Sequence, residues 1–250
     1  MSNDEEDLFL DICLLFAKIL TENNEEIYKI RDSLNKIAKT SNINNLTCYN
    51  TLSEIILTLD NTSKVRIANI TSISNNFEKL IQANSLMTKY LNFEIDHKTF
   101  YNSLVLLEKK TFTYSIAKQV FSAGIISVAM FNLFSRSFAD SFLTLVIGAT
   151  AFTFYIISLK ILELNFFSVF IASIYISISA VSFDKLNVIT ETYAVVLACI
   201  TPLLPGIEIV NAIRSIFQGD YISGIIQGTK AVTNSMMIAF PIGFIVEFLL

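Results

Sequence analysis

The side chains best suited to chemistry in this sequence lie in its apolar second half. Arg214 carries a guanidinium, whose planar fork of donors binds a carboxylate through two parallel hydrogen bonds. Asn211 precedes it by about one helical turn on the same face and would add a further hydrogen bond. The pair therefore suits a small carboxylated molecule. The alternative is an interfacial helix whose arginine only extends toward the membrane surface.

Five further positions in this half are candidates for a substrate pathway. Glu191 stands near the start of an apolar segment, where an ionisable group serves coupling or gating unless it lies at the aqueous rim. Asp220 either lines the pathway or caps the next helix. Pro205 and Gly206 interrupt an apolar run, as in the broken helices that line transporter cavities, although a plain loop explains them equally well. Gly224 would allow close approach of a backbone.

Other kinds of functional site have little support. No glycine occurs before residue 124, which excludes a glycine-rich phosphate loop in the first part of the chain. His97 is the single histidine and no nucleophile motif accompanies it, so we interpret it as a first-turn helix residue. Three scattered cysteines are too few for a disulfide framework or a zinc site. We predict no catalytic residue, no metal and no cofactor, hence no enzyme.

The elements that position these residues belong to two chemically different parts. Of the 250 residues, 53% are hydrophobic and 16% are charged. Residues 1–111 hold 27 of the 40 formal charges, whereas all seven glycines and all three prolines come later. We predict a cytosolic α+β domain over residues 1–111 and a transmembrane domain over residues 112–250. The net charge of −4 without a basic block does not favour nucleic acid as a partner.

Apolar periodicity predicts four helices and a hairpin in the first part. Helical spacing over residues 8–19 and 27–37 predicts two helices, broken near Asn23-Asn24. Alternation over residues 55–59 and 65–67, with turn residues at 60–63, predicts a hairpin. Two more helical stripes are expected at Phe77, Leu80, Ile81 and Leu91, and, after an N-cap at Asp96, at Phe100, Leu104 and Leu107.

The second part reads as a polytopic α-helical membrane protein with about five transmembrane helices. The expected spans are residues 119–133, 141–159, 164–183, 192–204 and 231–250. Residues 206–228 are too polar to face lipid, which favours a re-entrant or interfacial connector. Serines and threonines within the spans suit close helix packing or a polar substrate path.

Positive charges in the connections indicate the orientation of the spans. With the first part cytosolic, six basic residues flank the inner side: Lys109, Lys110, Lys118, Lys160, Arg214 and Lys230. The outer loops hold only Arg136 and Lys185. This asymmetry favours a cytosolic N-terminus in the cytoplasmic (inner) membrane, and five crossings then leave the C-terminus outside.

Two stretches of the chain resemble one protein family. The stretch from Thr201 to Gly243 is similar to the signature of the threonine/serine exporter family, in particular the larger subunit of its split, two-component form. The matching positions are Pro205-Gly206, Asn211-Ala212-Ile213-Arg214, Gly219-Asp220 and Gly224. A second stretch, residues 14–39, resembles the family's early helix and matches it at Glu26, Tyr28 and Asp32. Ser215 stands where the family commonly has an aspartate after the arginine.

The resemblance implies a subunit of a secondary transporter. Fused members export threonine or serine, and a split system similar to this chain exports dicarboxylates such as succinate. It implies a smaller all-membrane partner subunit, or a homo-oligomer, and a five-helix partner would give an inverted repeat with a site near the membrane midplane. The alternatives are a membrane-tethered hydrolase-like enzyme and a regulatory membrane scaffold.

Overall fold

The computed structural model describes residues 3–43, 46–60, 64–135 and 138–249. Its elements, in chain order, are α1 (Asn3–Glu22), α2 (Ile27–Thr40), β1 (Leu46–Asn50), β2 (Glu54–Leu59), β3 (Val65–Asn69), α3 (Phe77–Leu91), α4 (His97–Lys109), α5 (Ile116–Phe134), α6 (Ser141–Leu162), α7 (Asn165–Lys185), α8 (Thr192–Ile200), a 3-10 turn (Thr201–Leu203), α9 (Gly206–Phe217) and α10 (Tyr221–Leu249). The predicted turn residues 61–63 and Arg136 lie outside the described residues.

The chain divides into two compact units. The first contains Met1–Thr113 and Arg214–Gly224, and the second contains Tyr114–Ile213 and Ile225–Leu250. The connector predicted over residues 206–228 holds α9, a short turn and the first two turns of α10. The helix α10 therefore begins ten residues before the predicted span, at Tyr221.

Helix α1 supplies much of the core of the first unit. Phe9, Phe16 and Leu20 on α1 are buried, and they belong to one apolar cluster with residues of α2, α4 and the sheet. Helices α1 and α2 are separated at Asn23-Asn24, as predicted, and Asn24 has a left-handed φ of 62°. Asparagine tolerates this conformation better than most residues, which explains why the break occurs there.

The strands form an antiparallel sheet in the order β1-β2-β3. The predicted β2–β3 hairpin is confirmed, with Glu54 opposite Asn69, and Ile55, Leu57 and Leu59 face the core. Strand β1 was not predicted. It pairs with β2 in a register that sets Leu46 opposite Leu59, but five residues of mixed polarity carry too little alternation to reveal a strand.

The structure confirms the predicted apolar stripe of α4 and differs from the predicted stripe of α3. The Asp96 side chain accepts a hydrogen bond from the Thr99 amide at 3.1 Å, and the apolar stripe of α4 is buried, both as predicted. On α3, however, Phe77 and Ile81 are 60% and 64% exposed, while Leu80, Ala83 and Tyr90 are buried. Helix α3 carries two apolar stripes, and the stacking of Tyr90 on Phe100, with ring centroids 4.8 Å apart, selects the second.

The second unit contains helices that can cross a membrane. Among the described residues, four helices are long and apolar enough: α5, α6, α7 and α10. The predicted fourth span, residues 192–204, coincides with the helical residues from Thr192 to Leu203, which extend only about 18 Å and are too short to cross a membrane without α9. Together with α9 they form a helix pair bent by 63°, which is either one broken span or a re-entrant loop. The mostly helical fold with four or five candidate spans agrees with the predicted class.

Small and hydroxylated residues pack the spans closely. A Cβ on Gly148 of α6 would lie only 2.7 Å from the Cβ of Ser127 on α5, and closer still to its hydroxyl. Ser127, Ser173 and Ser177 are buried, and each hydroxyl donates to the carbonyl four residues earlier in its own helix. These hydroxyls therefore satisfy themselves within their helices, which fits the packing interpretation.

Candidate functional site

The break between α8 and α9 is caused by proline. Pro205 is buried and has no amide hydrogen, so it cannot continue the preceding helical ladder. Its carbonyl accepts a hydrogen bond from the Ile209 amide at 3.1 Å and thereby starts α9. A Cβ on Gly206 would meet no described atom within 4 Å. The bend at this position does not depend on the absence of a side chain at Gly206.

Helix α9 presents its apolar stripe outward. The apolar residues Ile209, Ile213, Ile216 and Phe217 are exposed, and Ala212 is the buried residue of the helix. A Cβ on Gly228 of α10 would lie 3.8 Å from the Cβ of Ala212, an ordinary van der Waals distance. Oε1 of Glu208 lies 3.9 Å from the Lys230 ammonium nitrogen. An amphipathic helix of this kind suits the surface of a bilayer.

Gly219 and Asp220 stop one helix and start the next. Gly219 has a left-handed φ of 81°, its amide donates to the Ile216 carbonyl, and the Asp220 amide donates to the Ser215 carbonyl. This pattern is a Schellman motif, which favours glycine. Asp220 then caps α10, because its Oδ1 accepts from the Ser223 amide at 3.2 Å. Gly224, which is buried, donates its amide to the Asp220 carbonyl at 3.1 Å.

Arg214 forms an ion pair with Glu26, 188 residues earlier in the chain. Its Nη1 donates to Oε1 of Glu26, which immediately precedes α2. The Lys29 ammonium donates to the same oxygen at 2.9 Å and lies 3.4 Å from Glu25. The side chain of Glu26 is 11% exposed, against 45% for Arg214. The two stretches that resemble the family signature therefore meet at a carboxylate–guanidinium pair.

The electrostatics of this pair favour an ionised Glu26. Burial opposes ionisation, but the hydrogen bond and charge of Lys29 and the charge of Arg214 outweigh it and hold the pKa of Glu26 below its ordinary value. The hydrogen bond to Glu26 in turn raises the pKa of Lys29. The second carboxylate oxygen of Glu26, Oε2, is buried without a hydrogen-bond partner in the described part of the chain.

A second polar cluster lies where α8 begins. Asp140, which is buried, accepts through Oδ2 from the Thr190 amide and hydroxyl, both at 2.9 Å, and from the Glu191 amide at 3.0 Å. The Thr192 hydroxyl donates to Asp184 at 2.5 Å. A cavity of about 430 Å³ opens here, with half-buried Glu191 in its wall. Asp140 thus fixes the backbone that presents Glu191.

The structure does not bring all seven predicted pathway residues to one place. Glu191 and Pro205 stand at opposite ends of the helical segment Thr192–Leu203, about 18 Å long. Pro205, Gly206 and Asn211 belong to the second unit. Three others, Arg214, Asp220 and Gly224, belong to the first unit.

The sequence did not predict that Glu26 contacts Arg214 or that Asp140 contacts the backbone at Glu191. Glu26 was visible as a match to the family's early helix, and Asp140 as the carboxylate between the first two spans. The residues around each of these carboxylates do not indicate which distant group it contacts. Among the described residues, no group of three or more histidine, cysteine, aspartate or glutamate side chains could hold a metal ion.

Comparison with known families assigns the chain. The family model described as "Putative threonine/serine exporter" matches residues 11–249, nearly the whole sequence. No curated protein and no solved structure matches the chain significantly. The family is one of transporters rather than enzymes, and with the apolar helices it indicates a multi-pass membrane protein. The protein belongs to the threonine/serine exporter family.

Proposed function

We propose that this protein is a subunit of a secondary transporter that exports a small carboxylated metabolite. The substrate is threonine or serine, or a dicarboxylate such as succinate, moved out of the cytosol across the cytoplasmic membrane. The observation that carries the proposal is the family match over residues 11–249, within which the motif positions Glu26 and Arg214 form an ion pair. The proposed activity consists of binding the substrate and moving it across the membrane, without making or breaking a covalent bond.

Arg214 is the proposed contact for the substrate carboxylate. A guanidinium offers five donors, and Glu26 accepts from one of its nitrogens. The partial exposure of Arg214 leaves donors for a second carboxylate. In this proposal, the substrate carboxylate first binds these remaining donors and then displaces Glu26 from Arg214. The buried, unpartnered Oε2 of Glu26 would gain solvent when the pair opens.

The remaining candidate residues have supporting roles in this proposal. Glu191 serves coupling or gating at its cavity, where its carboxylate would also attract the ammonium group of an amino acid. Pro205 and Gly206 provide the bend, while Asp220 and Gly224 shape the start of α10 along the path. A smaller all-membrane partner, or further copies of this chain, would complete the passage, with the first part of the chain in the cytosol and the C-terminus outside.

Transport by the reconstituted protein tests this proposal. Vesicles that contain the full chain and its partner should release labelled threonine, serine or succinate, and Arg214→Ala should slow release about tenfold or more, because a charge-assisted bond is lost. Arg214→Lys keeps the charge but loses the bidentate fork, so its rate should be intermediate. Lys230→Ala, at a cation that is 48% exposed and paired with Glu208, is the matched control.

The same experiment separates the alternatives. Unchanged release by Arg214→Ala, in a complex that still assembles, would favour a regulatory scaffold and contradict the role of Arg214. In cells, loss of the protein should raise the internal pool of its substrate. Unchanged pools of all three metabolites would exclude them as substrates.

A further inference from the structure

An open groove runs along the first half of α5 in the second unit. It is bounded by α5, by Phe152 of α6 and by Pro202 of the 3-10 turn, and it encloses about 520 Å³. The proposed transport function does not use it, since none of the seven pathway residues lines it. Most of its wall is apolar and its lining includes one cation, Lys118, so the second charged group of a free amino acid or dicarboxylate would be left unpaired there.

Polar and apolar groups are separated along the length of this groove. Lys118 and Gln119 stand in the first turn of α5, whereas Ile126 follows Lys118 by eight residues, or about 12 Å along the helix axis. The aromatic ring of Phe121 and the opposing Phe152 line the interval. The groove therefore has a cationic mouth at one end of the candidate span α5 and an apolar floor that extends along this helix.

The charge at the mouth is unneutralised. The ammonium of Lys118 is exposed and forms no ion pair within the described parts of the chain. Tyr114, which precedes α5, also lines the mouth and brings a hydroxyl to the level where membrane interfaces favour tyrosine. A basic side chain at this depth attracts anionic lipid headgroups.

We propose that this groove binds one anionic phospholipid. The headgroup phosphate would pair with the Lys118 ammonium and accept from the Tyr114 hydroxyl, and an acyl chain would lie against Phe121, Ile126 and Phe152. An amphiphile fits because it carries a charge at one end and hydrocarbon at the other, which matches the order of Lys118 and the apolar floor along the groove. A helix of a partner protein would cover the apolar floor but would leave Lys118 without a counter-charge.

Lipid binding to the purified full-length protein in detergent tests the proposal. Phosphatidylglycerol should bind more tightly than phosphatidylcholine with the same acyl chains, as measured by native mass spectrometry and by the rise in Tm. Lys118→Gln should weaken phosphatidylglycerol binding about fivefold and leave phosphatidylcholine binding unchanged, because one surface charge is removed. Lys118→Arg should retain the preference.

Two controls make the outcome specific. Lys160→Gln removes a lysine from the last turn of α6, outside the groove, and should keep the wild-type preference. Phe121→Ala should weaken both lipids, because it shortens the apolar floor. Equal binding of the two lipids by the wild type, or an unchanged preference in Lys118→Gln, would overturn the proposal. It would also be overturned by equal stabilisation from soluble glycerol phosphate, or by dimerisation that Phe121→Ala abolishes.

Discussion

Three charged side chains in the apolar half of this protein are held by specific partners. Asp140 is buried yet accepts three hydrogen bonds, and Asp220 caps α10. Arg214, the residue with the best chemistry for a carboxylated substrate, is held by Glu26. An unpaired charge in such surroundings is costly, so each partner determines whether its residue is available.

The pH dependence of stability should report the ionisation of Glu26. Because its folded-state pKa is depressed below 4.5, the stabilisation is fully present above that pH and is lost as the pH falls through the lower folded-state pKa. Glu26→Gln should lower stability at neutral pH by about 1 kcal/mol or less, as for a partly exposed pair. Its Tm should also fall less steeply than the wild-type Tm between about pH 5 and about pH 3.

A carboxylate on α2, the helix that follows Glu26, provides the control. Asp32 pairs with Lys36 at 2.6 Å, but its side chain is 60% exposed. Asp32→Asn should therefore keep the steep acid dependence of the wild type. Parallel Tm curves for the wild type and Glu26→Gln would show that the ion pair does not contribute to folding.

At the scale of elements, glycines determine one close contact between helices and one helix end. Gly148 lets α6 approach Ser127 of α5, and Gly219 turns the chain from α9 toward α10. These positions are informative because a glycine there has a defined neighbour or a defined φ. Gly243, in the interior of α10, serves as a contrast, because a Cβ there would meet no described atom within 4 Å.

A methyl group at Gly148 should disrupt the α5–α6 contact. Gly148→Ala should destabilise the protein by about 1–3 kcal/mol, because the new Cβ would overlap the buried Ser127 side chain. The double variant Gly148→Ala with Ser127→Gly should recover most of the loss by exchanging the two side chains. Unfolding of the full-length protein in detergent, followed by Tm, measures both effects.

Gly243→Ala is the matched helix variant. It adds the same methyl group in open space, so it should be neutral or should stabilise α10 by about 1 kcal/mol through helix propensity. If Gly148→Ala were as well tolerated as Gly243→Ala, close packing at Ser127 would not be required for the fold.

At the scale of the whole molecule, the α8–α9 pair determines the number of crossings. In the part of the chain that the structure describes, four helices qualify as spans by themselves, and the bent pair adds a fifth only if it crosses the membrane. Each additional crossing moves the C-terminus to the other side. The count therefore decides whether a similar partner would be inverted relative to this chain, as the inverted-repeat arrangement requires.

A reporter fused to the C-terminus measures this parity. We expect five crossings from a cytosolic N-terminus, because the basic residues favour that orientation, so an alkaline phosphatase fusion should be active and a green fluorescent protein fusion dark. The same reporters fused before Asn3 should give the reverse pattern. A fluorescent C-terminal fusion would mean four crossings and a re-entrant α8–α9 pair.

The sequence by itself determined the features that depend on close neighbours. These are the periodicities of α1, α2, α4 and the β2–β3 hairpin, the Asp96 cap and the break at Pro205. Each follows from residues within about two turns of one another, so local sterics and hydrogen bonding suffice.

Only the tertiary structure decided which distant groups meet. Phe77 and Ile81 belong to the predicted core stripe of α3, whereas in the structure they are exposed and Tyr90 of the same helix stacks on Phe100. Glu26 reaches Arg214 across 188 residues, and Asp140 holds the backbone at Glu191. The physical reason is that an apolar stripe or a charge shows only that an element must pack against, or pair with, something. Packing between elements far apart in the chain selects the partner.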